Sequence, residues 1–106
     1  MSAKQACLIL TTVAKKCDAE RISRLLVLER LAACAQQVGP IISHYVWKTK
    51  LCRDREFLLL IKTKRRLVGK LEKRLHEIHP YEVPEFVVVP FVAGSKGYLG
   101  WLSRVL

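Results

Sequence analysis

The seven residues His79-Pro80-Tyr81-Glu82-Val83-Pro84-Glu85 place an imidazole, a phenol and two carboxylates in one short stretch. Imidazole ligates copper and zinc and exchanges protons near neutral pH, while carboxylates suit harder ions or act as general bases. Proline fixes its own φ and pushes the preceding residue out of the helical basin, so Pro80 and Pro84 stiffen the stretch. Groups held in fixed relation are what a binding site requires. His79 is therefore the candidate metal ligand, with Glu82 and Glu85 as local oxygen donors. His76 would share a helical face with His79, but Pro80 argues against a helix extending that far. The competing role for a histidine at a helix end is structural, a polar group near the C-terminal dipole. His44 lies in an alternating stretch with no partner nearby in sequence, and the structural role is stronger there.

A second constellation spans the chain. Tyr45, Trp47, Lys62, Tyr81, Glu82, Glu85 and Trp101 supply aromatic walls, a cation and two anions, a mix suited to a small-molecule cleft between subunits. Glu82 or Glu85 could serve there as a base. Against this, Tyr and Trp at strand ends commonly just pack, and Lys62 with a glutamate can be a plain ion pair. There is no nucleophile constellation, glycine-rich phosphate loop or cofactor fingerprint, so no catalytic centre is expected.

The formal charge of +10, from 19 basic and 9 acidic side chains, keeps anionic partners in view. Lys62, Lys64, Arg65, Arg66, Lys70, Lys73 and Arg74 form a basic band, with Arg53 and Arg55 adding to it. The aromatics are not interleaved with these cations as stacking platforms, so nucleic acid is not the expected partner. The four cysteines, Cys7, Cys17, Cys34 and Cys52, lack zinc-site spacing and read as free thiols, with Cys7 and Cys34 in packing roles. No signal-peptide pattern and no apolar run of roughly 18 residues is present, so the expected location is cytoplasmic, away from membranes.

The elements that must position these groups follow from periodicity. Ala6–Val13 is a charge-free, β-branched run, read as a central strand covered on both faces. A helix starting at Lys15 or Asp18 places Ile22, Leu25, Leu26 and Glu29 at helical spacing. Residues 34–47 and 51–63 form two long strands around a Lys48-Thr49-Lys50 turn, with Gly39-Pro40 marking a bulge or bend. Lys64–Ile78 is the clearest helix, with Leu67, Leu71, Leu75 and Ile78 on one face. Phe86–Val92 is a strand, Ala93–Gly97 a loop and Tyr98–Leu106 a short terminal helix. This order gives one domain, residues 1–106, of the α+β class: a ferredoxin-like βαββαβ sandwich with an extra C-terminal helix and a long β2-β3 hairpin. Strands average about five to six residues, and the overhang of arms this long needs cover from other chains.

The same segments carry a resemblance. Glu29-Arg30-Leu31-Ala32-Ala33-Cys34, Tyr45-Val46-Trp47-Lys48, Leu59-Leu60-Ile61-Lys62-Thr63, the His79–Glu85 stretch and Tyr98-Leu99-Gly100-Trp101-Leu102 together resemble the CutA divalent-cation-tolerance family over nearly the whole chain. The resemblance implies a ferredoxin-like homotrimer whose hairpins pair between subunits, and a non-enzymatic protein that binds copper or another divalent cation. Bacterial members implicated in copper binding match at His79 but have cysteine at the position of Thr11 and a second histidine at that of Ile78. Family members also carry Gly where Thr49 stands, which implies a different hairpin turn here, and Cys-Pro-Asp at the positions of Val13-Ala14-Lys15. A small-molecule-responsive trimer of the PII type is the alternative, by analogy of fold alone.

Overall fold

A computed structural model describes residues 1–106 as β1 (Ala6–Val13), α1 (Lys16–Leu28), β2 (Cys34–Trp47), β3 (Lys50–Lys64), α2 (Val68–Ile78), β4 (Val87–Pro90) and α3 (Lys96–Arg104). Single 3₁₀ turns occupy Ala3–Gln5 and Arg65–Leu67. The four strands form one antiparallel sheet in the order β2-β3-β1-β4. This is the expected α+β, split βαβ arrangement with its added terminal helix.

Element boundaries follow local chemistry. α1 begins at Lys16, with Lys15 at the N-cap and Asp18 in the first turn, where a carboxylate complements the helix dipole. Glu29, which the spacing aligns with Ile22, Leu25 and Leu26, is instead the exposed C-cap and is gripped by Arg74 through bonds of 2.8 and 2.9 Å. α2 stops at Ile78, and His79 is extended at φ −81° and ψ 135°, as the following proline demands. β4 is shorter than the expected Phe86–Val92, because Pro90 has no N–H to carry the ladder onward. α3 starts earlier than Tyr98, because the Ser95 hydroxyl accepts from the Tyr98 N–H at 3.2 Å and draws Lys96 and Gly97 into the first turn.

Residues paired across a sheet share a face. Ile9, Val13, Leu59 and Ile61 thus point together, and they bury against Ile22 and Leu26 of α1 and Leu71 and Leu75 of α2. The other face of β1 is less covered than expected: Leu8, Leu10, Leu58 and Leu60 are half-buried, and Val87 and Val89 of β4 are exposed. α3 approaches this face only at one end, where Tyr98 Oη lies 3.7 Å from Cys34 Sγ and Lys62 Nζ sits 5.3 Å from the Tyr98 ring. All four cysteines are free, Cys7 buried and Cys34 half-buried.

The last rung between β1 and β3 is Val13↔Phe57, whereas β2 and β3 stay paired to Trp47↔Lys50. The hairpin beyond that rung stretches the molecule to 45 × 25 × 23 Å and leaves Ile42, Val46, Trp47 and Leu51 exposed. The register shift expected at Gly39-Pro40 lies between Val38 and Ile41. Gly39 has φ +149°, and a Cβ there would meet Phe57 Cδ1 at 3.0 Å and the Glu56 carbonyl at 3.1 Å. At the tip, Lys48 and Thr49 take φ values of 50° and 66°. That is the type I′ pattern, whose twist matches the flanking strands, so the departure at Thr49 has not changed the turn as the sequence suggested. Long ladders on both sides over-determine the two-residue connection, and Thr49 bears the strain.

Two substitutions test this backbone in urea unfolding at fixed protein concentration. Thr49→Gly is expected to raise stability by about 1 kcal/mol, the cost of a left-handed L-residue. Gly39→Ala is expected to lower it by about 1–3 kcal/mol through strain and contact. A neutral Thr49→Gly result would show that the turn stores no strain.

Candidate functional site

The site forms where the end of α2, the end of β1 and the base of the hairpin meet. Pro80 turns the chain out of α2, so His79 reaches back across β1 instead of along the helix. Its Nδ1 lies 3.1 Å from the Tyr81 amide nitrogen and its Nε2 lies 3.0 Å from the Thr12 carbonyl oxygen. An amide N–H only donates and a carbonyl only accepts, so the ring is neutral with its proton on Nε2. The imidazole is only 7% exposed, and burial pushes its pKa below the ordinary value, with the Thr12 bond opposing. His79 therefore clamps the junction to β1, and its ring meets that of Tyr81 edge-on at 4.8 Å.

Tyr81 extends the clamp to the hairpin. Its hydroxyl donates to Glu56 Oε2 at 2.6 Å, and Glu56 is 5% exposed. A buried carboxylate needs such a donor. Burial, then the Glu56 bond, raises the Tyr81 pKa. On the neighbouring rungs Tyr45 donates to Asp54, and that bond pushes its pKa up to about 12. Glu85 is also raised, by desolvation first and then by the charge on Glu56.

These groups border a cleft of about 710 Å³ lined by residues of β1, the hairpin and the junction. Of the residues expected there, Tyr45, Trp47, Tyr81, Glu82 and Glu85 line it. Lys62 and Trp101 do not. Lys62 stands six residues beyond Glu56 on β3, about 20 Å at strand rise, and packs on Tyr98, which also pairs with Trp101 at 5.5 Å. His79 lies behind Tyr81 and does not line the cleft. Thr12, Ser43, His44, Glu56, Val83 and Pro84 complete the lining; Thr12, Ser43 and Glu56 were not singled out by sequence, and His44 was read there as structural. Local sequence carried no signal for Glu56, because its partner Tyr81 stands 25 positions away.

For metal binding the geometry is sparse. No three His, Cys, Asp or Glu side chains converge. Thr11 Oγ1 is buried without a partner, and Ile78 contributes a half-buried aliphatic group. The His79 Nδ1 lone pair accepts from the Tyr81 N–H.

The family model for CutA1 divalent ion tolerance protein matches residues 7–105. The chain belongs to this family. It is 42% identical over 96 residues to the divalent-cation tolerance protein CutA of Thermus thermophilus, covering 91% of this chain and 93% of that one. It is 41% identical over 87 residues to human protein CutA, covering 82% of this chain and 49% of the relative, so it spans about half the human protein's length. The crystal structure of CutA from Xylella fastidiosa superposes with a TM-score of 0.92 at 40% identity, covering 95% of this chain and 97% of that one.

The clamp sets a pH dependence. A histidine with a lowered folded pKa takes up protons more readily when unfolded, so stability falls with pH below the unfolded value of about 6.5. Wild-type protein is expected to lose stability progressively as pH drops below that point, while His79→Gln flattens this part of the curve. Tyr81→Phe, which strips Glu56 of its donor, is expected to cost about 1–3 kcal/mol at neutral pH. Parallel pH-dependent unfolding curves for wild type and His79→Gln would remove His79 as the titrating group.

Proposed function

We propose that this CutA1-family protein is a non-enzymatic homotrimer that binds divalent cations, copper among them, with His79 as the imidazole ligand at the junction behind the cleft. The observation carrying this reading is the protonation state of His79. A ligand imidazole must be neutral, and burial holds this one neutral at physiological pH. The lone pair on Nδ1 becomes available by breaking one neutral hydrogen bond, a net loss of about 0.5–1.5 kcal/mol, which is small beside a metal–nitrogen bond. Glu82 and Glu85, on the same stretch, draw cations towards this end of a strongly basic chain. With Thr11 and Ile78 in place of sulfur and nitrogen donors, the remaining ligands are carboxylate or water, and the binding is weak.

Self-association rests on the hairpin. Its overhang and the edge strand β4 present unpaired backbone edges and apolar side chains with no cover from their own chain. Three copies pairing these arms in a closed ring satisfy both. The compartment is proposed as cytoplasmic. No helix is long and apolar enough to cross a membrane, and a relative from Archaeoglobus fulgidus, 28% identical, is described as periplasmic.

Light scattering is expected to give three times the chain mass at every concentration down to the micromolar range. Copper titration is expected to saturate with wild type and not with His79→Ala. Electron paramagnetic resonance separates ligation from a structural effect, because imidazole coordination imprints nitrogen hyperfine splitting on Cu²⁺. Unchanged splitting in a folded His79→Ala variant overturns the assignment.

A further inference from the structure

The end of the molecule away from the His79 cleft, about 26 Å along β3 from Glu56 to Lys64, carries a second hollow of about 540 Å³. Lys4, Lys64, Arg65 and Arg66 line it with Gln5, Ser103 and Met1, so every charged side chain in the lining is a cation. The chain's ion pairs join only Arg21 to Asp18 and Arg74 to Glu29 and Glu77. None of the four cations at the hollow has such a partner. Like charges gathered round one concavity raise the local potential and favour an anion within it.

The backbone presenting them is ordered. Lys4 sits on the Ala3–Gln5 turn, which the Ser2 N–H closes by donating to Gln5 Oε1 at 2.9 Å. Arg65 and Arg66 occupy the 3₁₀ turn leading into α2, and the Arg65 guanidinium reaches the Lys4 carbonyl at 3.5 Å. Planar guanidinium forks, ammonium groups and the Ser103 hydroxyl are the donors that phosphate oxygens accept from. No aromatic ring lines the hollow, so there is no platform for a base, and recognition falls on the phosphates. One phosphate matches about half of the four charges, whereas a chain of two or three matches them all.

We propose that this hollow binds the polyphosphate group of a small anion, either inorganic di- or triphosphate or the tail of a nucleotide. The test is calorimetric titration of the full chain with inorganic tripolyphosphate and, separately, with ATP, at low and at physiological salt. Saturation at one ligand per chain is expected, with affinity falling as salt rises. Arg65→Gln/Arg66→Gln is expected to weaken tripolyphosphate binding about tenfold or more, the equivalent of losing one charge-assisted bond. Lys70→Gln/Lys73→Gln removes the same net charge from the exposed face of α2 outside the hollow, and is expected to change affinity less than twofold. Equal affinities for the two ligands assign the phosphate chain alone as the recognised group. Tighter ATP binding that the Arg65/Arg66 variant also loses assigns the nucleotide. Equal weakening in both double variants, or titrations that never saturate, overturns the proposal by reducing the effect to net charge.

Discussion

The structure depends on β3 serving two assemblies at once. From Phe57 to Lys64 it is an inner strand, paired with β1 on one side and β2 on the other, and it gives Leu59 and Ile61 to the core. From Lys50 to Glu56 it is one arm of a two-stranded ribbon with no third strand beside it. A bare ribbon is marginal in water, yet this one continues without a break from a strand locked into the core. The core therefore fixes the ribbon's register and twist, and the ribbon offers its open edge and exposed Ile42, Val46 and Leu51 outward.

The change from inner strand to ribbon falls between Phe57 and Glu56, and the candidate site is built on that step. Inside it, helices supply cover; beyond it, nothing from the same chain does. Glu56 is nevertheless 5% exposed, because Tyr81 folds over it from the junction. Tyr81 is held in turn by His79, whose other nitrogen is tied to β1. One imidazole thus connects a helix end, an inner strand and a loop, and a phenol passes that connection to the hairpin. Gly39 belongs to the same arrangement, since its close approach to Phe57 and the Glu56 carbonyl bends β2 at the step.

How far the sequence reveals this follows from the range of each interaction. Strand order, the two amphipathic helices, the bulge at Gly39-Pro40 and the stop at Ile78 rest on periodicity and proline chemistry, which act over a few residues and are legible. Tyr45, Trp47, Tyr81, Glu82 and Glu85 line one cleft of the chain because strand ends and a proline-stiffened junction gather there. Lys62 and Trp101 lie away from this cleft of the single chain, and residue type does not say at which end of a long strand a side chain sits. The burial of Glu56 depends on a tyrosine 25 positions away, and nothing local in Arg55-Glu56-Phe57 announces it. The turn at Thr49 misled for the opposite reason: local preference spoke clearly and the two ladders overruled it.

The distribution of charge along β3 gives this an electrostatic direction. At the ribbon step the strand places Glu56 beside a junction holding Glu82 and Glu85, and at its far end it delivers Lys64 to a hollow shared with Lys4, Arg65 and Arg66. These ends are separated by about 26 Å, more than three Debye lengths at physiological ionic strength, so neither cancels the other in solution. A net charge of +10 therefore does not make the surface uniformly repellent to cations. The acidic step sees its own neighbourhood, and there burial lowers the His79 pKa with no carboxylate paired to the ring to oppose it. Its Nδ1 lone pair is held by one amide hydrogen bond, which ties the orientation of the ring to the position of Tyr81.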